Sequence, residues 1–149
     1  MKLMIRIVID TNVALSGLLS YTSPERMIIN YAMQKRISLI GSRETFSEFK
    51  EKVLENKRFI KVAKDLMFPQ NQILSQYKAL VKFVEIEQSL KELHFCEQDP
   101  DDDMFLHVAI QSGTNILITN DNHLRKLKKI NEIRIITPTK FLEVIRKHF

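Results

Sequence analysis

Carboxylates dominate the chemistry open to this sequence. Asp10 closes the apolar run Leu3–Ile9, Asp121 follows Ile116–Ile118 after Thr119 and Asn120, and residues 97–103 hold five acids and no base. Acids from separate segments brought to one place repel. At ~4 Å and an effective dielectric of ~20, a like-charged pair costs about 4 kcal/mol, a sizeable part of a domain's net stability. Protons or a divalent cation must offset that repulsion. Carboxylate oxygens without His or Cys partners suit Mg²⁺ or Mn²⁺ better than zinc.

Other chemistries fall away on residue counts. Cys96 is the only cysteine, so neither a disulfide framework nor a cysteine zinc site can form, and a reducing cytoplasm is the expected compartment. Three glycines, Gly17, Gly41 and Gly113, build no phosphate-cradling loop. A calcium loop beginning at Asp99 fails because Met104 stands at its sixth position and Ile110 at its twelfth. Each acid also has a plain structural role open to it. Asp10 or Thr11 can cap a helix, Asp101–Asp103 can complement a helix dipole, and Asp121-Asn122 can form a turn. Glu48 by itself reads as a solvated helix residue, and His94, His107 and His123 as surface or packing residues.

The elements that would position the acids follow from apolar patterning. Leu3–Ile9 holds six apolar residues of seven without alternation, as a strand buried on both faces does. Ser23 and Pro24 supply N-cap and first turn for a helix carrying Ile28, Tyr31 and Ala32, and Ile37–Ile40 reads as a strand ending at Gly41. Ser42 caps a helix to about Leu54, a basic helical piece spans about 55–68, and Asn71–Leu80 forms another helix. Phe83–Ile86 reads as a strand, Asp102–Ser112 as a helix, Ile116–Ile118 and Ile133–Ile136 as strands. Thr137 and Pro138 then open a last helix with Phe141, Leu142, Ile145 and Phe149. Alternating strands and helices predict an α/β fold, a three-layer α/β/α sandwich with a mainly parallel central sheet. In such sheets ligands bind beyond the carboxyl ends of the strands, where Asp10 and Asp121 stand.

The chain has 149 residues, 44% hydrophobic and 28% charged, which suits one ordinary globular domain over residues 1–149. No apolar run approaches the ~18 residues of a membrane span, so no membrane association is expected. A net charge of +5 hints weakly at a polyanionic partner, and its distribution says more. Residues 97–103 carry −5, residues 50–64 carry +4, and residues 125–149 carry +6. Lys57, Arg58, Lys61, Arg125 and Lys126 are candidates to attract phosphates; the bland alternative is a solvated helix face. No RNA-binding aromatic motif is present, and the Phe spacing follows the core.

Four segments in order resemble the PIN-domain family, near the VapC-like toxin ribonucleases of toxin–antitoxin systems. They are Val8-Ile9-Asp10-Thr11-Asn12-Val13, Glu44-Thr45-Phe46-Ser47-Glu48-Phe49, Asp99-Pro100-Asp101-Asp102-Asp103-Met104-Phe105-Leu106 and Ile118-Thr119-Asn120-Asp121-Asn122-His123-Leu124. The resemblance places the family's acidic quartet, catalytic and metal-holding, on Asp10, Glu48, Asp102 and Asp121, with Asn12, Thr119 and Asp103 in support. Asp103 is the alternative to Asp102, both standing at a helix start. Glu44 is the alternative to Glu48: at about 100° per residue Phe46, Phe49 and Val53 share one face, and Glu48 borders it. Asn120 stands where this subgroup often has Gly.

The resemblance implies a ribonuclease using one or two Mg²⁺ or Mn²⁺ ions to activate water against single-stranded or structured RNA. It also implies an antitoxin protein partner and a homodimer or higher homo-oligomer. A non-catalytic RNA- or antitoxin-binding module is the alternative. A haloacid-dehalogenase-type phosphatase would need a second acid two residues after Asp10, where Asn12 stands.

Overall fold

A computed structural model describes residues 4–96 and 100–147. Glu97, Asp99, Leu3 and Phe149 therefore lie outside the described residues. In chain order the elements begin β1 (Ile5–Ile9), α1 (Thr11–Leu18), α2 (Pro24–Met33), β2 (Ile37–Gly41), α3 (Arg43–Glu55), α4 (Lys57–Asp65), α5 (Gln70–Leu80), β3 (Val81–Phe83) and α6 (Gln88–Lys91). A 3₁₀ turn at Pro100–Asp102 leads into α7 (Asp103–Ser112). There follow β4 (Ile116–Ile118), α8 (Asn122–Arg125), β5 (Lys129–Ile130), β6 (Ile133–Ile136) and α9 (Pro138–Ile145).

The strands form one six-stranded sheet in the order β3-β2-β1-β4-β6-β5, parallel except for the β5–β6 edge pair. From β1 the chain winds outward to β2 and β3, then returns to place β4 on β1's other side. The topological switch therefore lies between β1 and β4, and the carboxyl ends of these two strands flank the crevice where α/β sheets bind ligands. Val8 pairs with Leu117 and Ile9 with Ile118, so Asp10 and Thr119 leave the sheet side by side.

Strand alternation divides the core in two, as a three-layer sandwich requires. Ile7, Ile9, Leu39 and Ile118 face a cluster completed by α1, α2, α3, α5 and α9. Val8, Ile40, Leu117 and Ile135 face the opposite cluster, to which α7 contributes Phe105, Leu106, Val108 and Ala109. Helix starts follow local chemistry. Ser23 and Thr137 accept from Arg26 N–H and Lys140 N–H, each followed by Pro at the first helical position. Ser42 and Thr45 form a reciprocal capping box that starts α3 directly after β2.

The structure moves one expected strand and adds four short elements. The strand expected at Phe83–Ile86 is β3 at Val81–Phe83. β2 ends at Gly41, opposite Phe83, because Ser42 turns the chain into α3; the Val84 N–H donates to the Gly41 carbonyl at 2.8 Å as the last contact between them. The helix expected from Asp102 begins at Asp103, after the 3₁₀ turn. The sequence reading did not assign α1, α6, α8 or β5, all eight residues or fewer.

α3 is anchored by Phe49, fully buried and stacked on Tyr77 of α5 at 4.1 Å between ring centroids. Truncating a buried ring removes its transfer free energy and leaves a cavity. Phe49→Ala is expected to lower the unfolding free energy by about 3–5 kcal/mol, read as a shift of the urea midpoint.

Candidate functional site

Asp10 ends β1 and caps α1. Its Oδ1 accepts the Val13 N–H at 2.8 Å, and its other oxygen accepts the hydroxyl of Thr119, the residue following β4. Thr119 is fully buried, and its Oγ1 also accepts the Asp121 N–H at 2.9 Å. One threonine hydroxyl thus ties the end of β1 to the turn after β4. Asp121, half-buried, in turn caps α8 by accepting the His123 N–H at 2.7 Å.

Glu48 approaches from α3. Its Oε2 accepts the Thr11 hydroxyl at 2.6 Å, and its Oε1 lies 3.8 Å from Lys52 Nζ, one helical turn on. Lys52 also donates to Asn12 Oδ1 at 3.1 Å. Glu44, the alternative acid, turns elsewhere and pairs with Lys91 at 3.7 Å.

The two aspartates before α7 part company. Asp102 is buried and lines the same recess as Asp10. Asp103 is also buried, but its Oδ1 accepts the Phe95 and Cys96 N–H groups at 3.0 and 2.7 Å, and His94 Nδ1 lies 3.2 Å from its Oδ2. Its carboxylate is committed to the 94–96 segment, and it does not line the recess.

Asp10, Glu48, Asp102 and Asp121 line one pocket of about 130 Å³, with Thr11, Asn12, Lys52, Asp101 and Phe105 completing its wall. Four segments distant in sequence therefore meet at the β1–β4 switch. Among the described residues no three acidic, His or Cys side chains stand close enough to ligate one ion as they are oriented. The donor set nevertheless fits a hard divalent cation: carboxylate oxygens converge on one recess, and no His or Cys lines it. Thr11, Lys52, Asp101 and Phe105 are the wall residues that the sequence reading did not assign to the site. Lys52 was detectable as the i+4 partner of Glu48 on α3.

The expected phosphate-attracting residues lie away from this pocket wall. Lys57, Arg58 and Lys61 are exposed on α4; Arg125, exposed, ends α8 and reaches Asn122 Oδ1 at 3.4 Å, and Lys126 follows it.

A sequence model of the PIN domain matches residues 6–123, a span that contains all four pocket acids. The chain belongs to the PIN-domain family. An uncharacterized protein of Methanocaldococcus jannaschii is 29% identical over 154 residues, covering 98% of this chain and 95% of its own length. Two solved structures share the fold. VapBC2 from Rickettsia felis, solved bound to a DNA fragment from its promoter, matches with a TM-score of 0.60 at 14% identity, over 89% of this chain and 98% of that one. PAE2754 from Pyrobaculum aerophilum matches with a TM-score of 0.56 at 15% identity, over 96% of each chain. PIN domains are, as a family, nucleases.

In this PIN domain burial pushes the Asp10 carboxyl up from 3.8 to about 6. The nearby Asp121 charge adds to the rise, while the Thr119 and Val13 hydrogen bonds and the Lys52 charge oppose it. The neutral form is thus favoured in the folded state. That stabilisation is complete below about pH 4 and is lost as pH rises through about 6. With divalent ions chelated, the wild-type protein should lose up to about 3 kcal/mol of stability between these limits. Asp10→Asn keeps an acceptor for the Val13 N–H and has no charge to desolvate. Urea midpoints at pH 4, 5, 6 and 7 should show a flatter profile for the variant and a higher midpoint than wild type at pH 7; equal slopes would count against this account.

Proposed function

We propose that this PIN domain is a Mg²⁺- or Mn²⁺-dependent endoribonuclease that hydrolyses phosphodiester bonds in RNA, acting in the cytoplasm as the toxin of a toxin–antitoxin pair. The observation that carries the reading is the single pocket lined by Asp10, Glu48, Asp102 and Asp121 at the β1–β4 switch. Likeness to VapBC2, a complex of two proteins by its name, supports an antitoxin protein as partner. A homodimer or higher homo-oligomer is the assembly we expect from the family.

Asp10, Asp102 and Asp121 would hold the cation, with Glu48 at the pocket's α3 side. When bound, a divalent cation supplies the positive charge that activates water toward a phosphodiester and offsets charge developing in the transition state. Thr119 bonds both the Asp10 carboxylate and the Asp121 backbone, which keeps the two residues side by side at the strand ends. Thr11 orients Glu48, leaving Oε1 toward Lys52. No Ser, Thr or Cys nucleophile is required, because water is the attacking group.

Two measurements test the reading. Cleavage of a labelled single-stranded RNA in Mn²⁺ should fall at least about a hundredfold in Asp121→Asn, with the circular dichroism spectrum unchanged. Undiminished cleavage by the variant would remove the reaction from this pocket, and no cleavage by wild type would leave a non-catalytic RNA- or antitoxin-binding module. Independently of activity, Mn²⁺ should raise the melting temperature of wild type more than that of Asp102→Asn, since an ion bound only by the folded state stabilises by mass action.

A further inference from the structure

The acidic pocket does not end at Glu48. A second cleft of about 510 Å³ shares Glu48, Lys52 and Asp101 with it, and a third, of about 670 Å³, shares Arg43 and Glu44 with the second. The three recesses thus follow α3 in succession. Glu44 and Glu48 are one turn apart, about 6 Å along the helix, so the far cleft begins within a short reach of the carboxylates.

The chemistry of the far cleft differs sharply from that of the pocket. Its floor holds two aromatic rings, Phe46 of α3 and Phe83 at the end of β3, packed edge to face with centroids 6.1 Å apart. Phe83 is 44% exposed, so part of its ring is open to a ligand in the cleft. Lys78 of α5 sits over the Phe46 ring at 4.9 Å, and Arg43 lines the same wall. Lys91 neutralises Glu44 at 3.7 Å. Exposed rings flanked by cations are how sequence-tolerant single-strand sites are built: a base stacks on the ring while Lys or Arg meets the phosphate.

We propose that this cleft is a nucleotide-binding subsite, in which a base of single-stranded RNA flanking the scissile phosphate stacks on Phe83 and its phosphate meets Lys78 and Arg43. The subsite rests on the nuclease reading for its place along the substrate. Its continuity with the carboxylate pocket, and three cations, Arg43, Lys78 and Lys91, against the two acids Glu44 and Glu85 on its wall, favour a polyanionic strand over an apolar peptide. It also explains how a protein with no recognisable aromatic RNA motif can hold a single strand: the two rings come from α3 and β3, which meet only in the fold.

A short single-stranded RNA carrying 2-aminopurine beside the cleavable bond is the probe. Stacking on Phe83 should quench its fluorescence in chelator, without any divalent ion. Phe83→Ala should abolish most of the quenching and raise KM for cleavage in Mn²⁺ by at least about fivefold, a larger change than in kcat. Phe83→Tyr, which keeps the ring, should restore both, and this separates stacking from a general loss of packing around Phe46. Lys78→Gln should raise KM in the same sense. Phe83→Ala with unaltered quenching and KM would overturn the subsite while leaving the nuclease intact, including the case in which a protein partner fills the cleft. Phe83-dependent quenching in a protein that cleaves no RNA would support the subsite and remove the nuclease reading.

Discussion

A carboxylate buried at the end of a central strand loses its hydration, and the loss must be met by hydrogen bonds, protons or counter-charge. Asp10 occupies that position, and its two oxygens are met by the Val13 N–H and the Thr119 hydroxyl. The arrangement depends on register. Ile9 pairs with Ile118, so Thr119 emerges beside Asp10 and can serve it while also receiving the Asp121 N–H. A slip of one residue between β1 and β4 would turn Thr119 to the other sheet face and leave Asp10 without its hydroxyl partner. The packed strands thus hold two carboxylates near each other against their mutual repulsion.

The other two acids are delivered by helices whose positions the core sets. Phe49, stacked on Tyr77, holds α3 against the sheet, and Glu48, the next residue back, is carried to the edge of that buried face, where Thr11 reaches it. Asp103, at the start of α7, fastens the 94–96 segment through two backbone N–H groups. With that carboxylate engaged, its neighbour Asp102 is the one that faces the pocket. Lys52 answers part of the pocket's negative charge from within the protein, bridging Glu48 and Asn12.

Charge along the surface is graded rather than simply segregated. The acidic pocket leads through a cleft where Glu44, Glu48, Glu51 and Asp101 outnumber Arg43 and Lys52 to one where Arg43, Lys78 and Lys91 face Glu44 and Glu85 beside the half-buried Phe46 and exposed Phe83 rings. A polyanion lying along α3 would meet a field that grows less favourable toward the pocket, where a divalent cation would offset the negative potential. The net charge of +5 conceals this gradient, because the strongly basic stretches on α4 and near the C-terminus lie elsewhere.

The α/β class, the two-faced burial of β1 and the ends of most helices were legible in the sequence, because apolar periodicity, capping residues and proline act over a few neighbouring residues. The family motifs named the acids that the fold collects, and Glu48 over Glu44 was already suggested by its place beside the Phe46, Phe49 and Val53 face. Short elements escaped because α6, α8 and β5 are too brief to show a period, and β3 shifted because its length is set by where β2 ends. The separation of Asp102 from Asp103 depended on the 94–96 backbone, and the entry of Lys52 into the pocket on how α3 lies against α1. The pairing of Phe46 with Phe83 joins residues from different elements, and no local pattern encodes it. Short-range propensities therefore determined which elements form, while only the packing of the sheet and helices decided which side chains face one another, since those contacts are made between residues far apart in the chain.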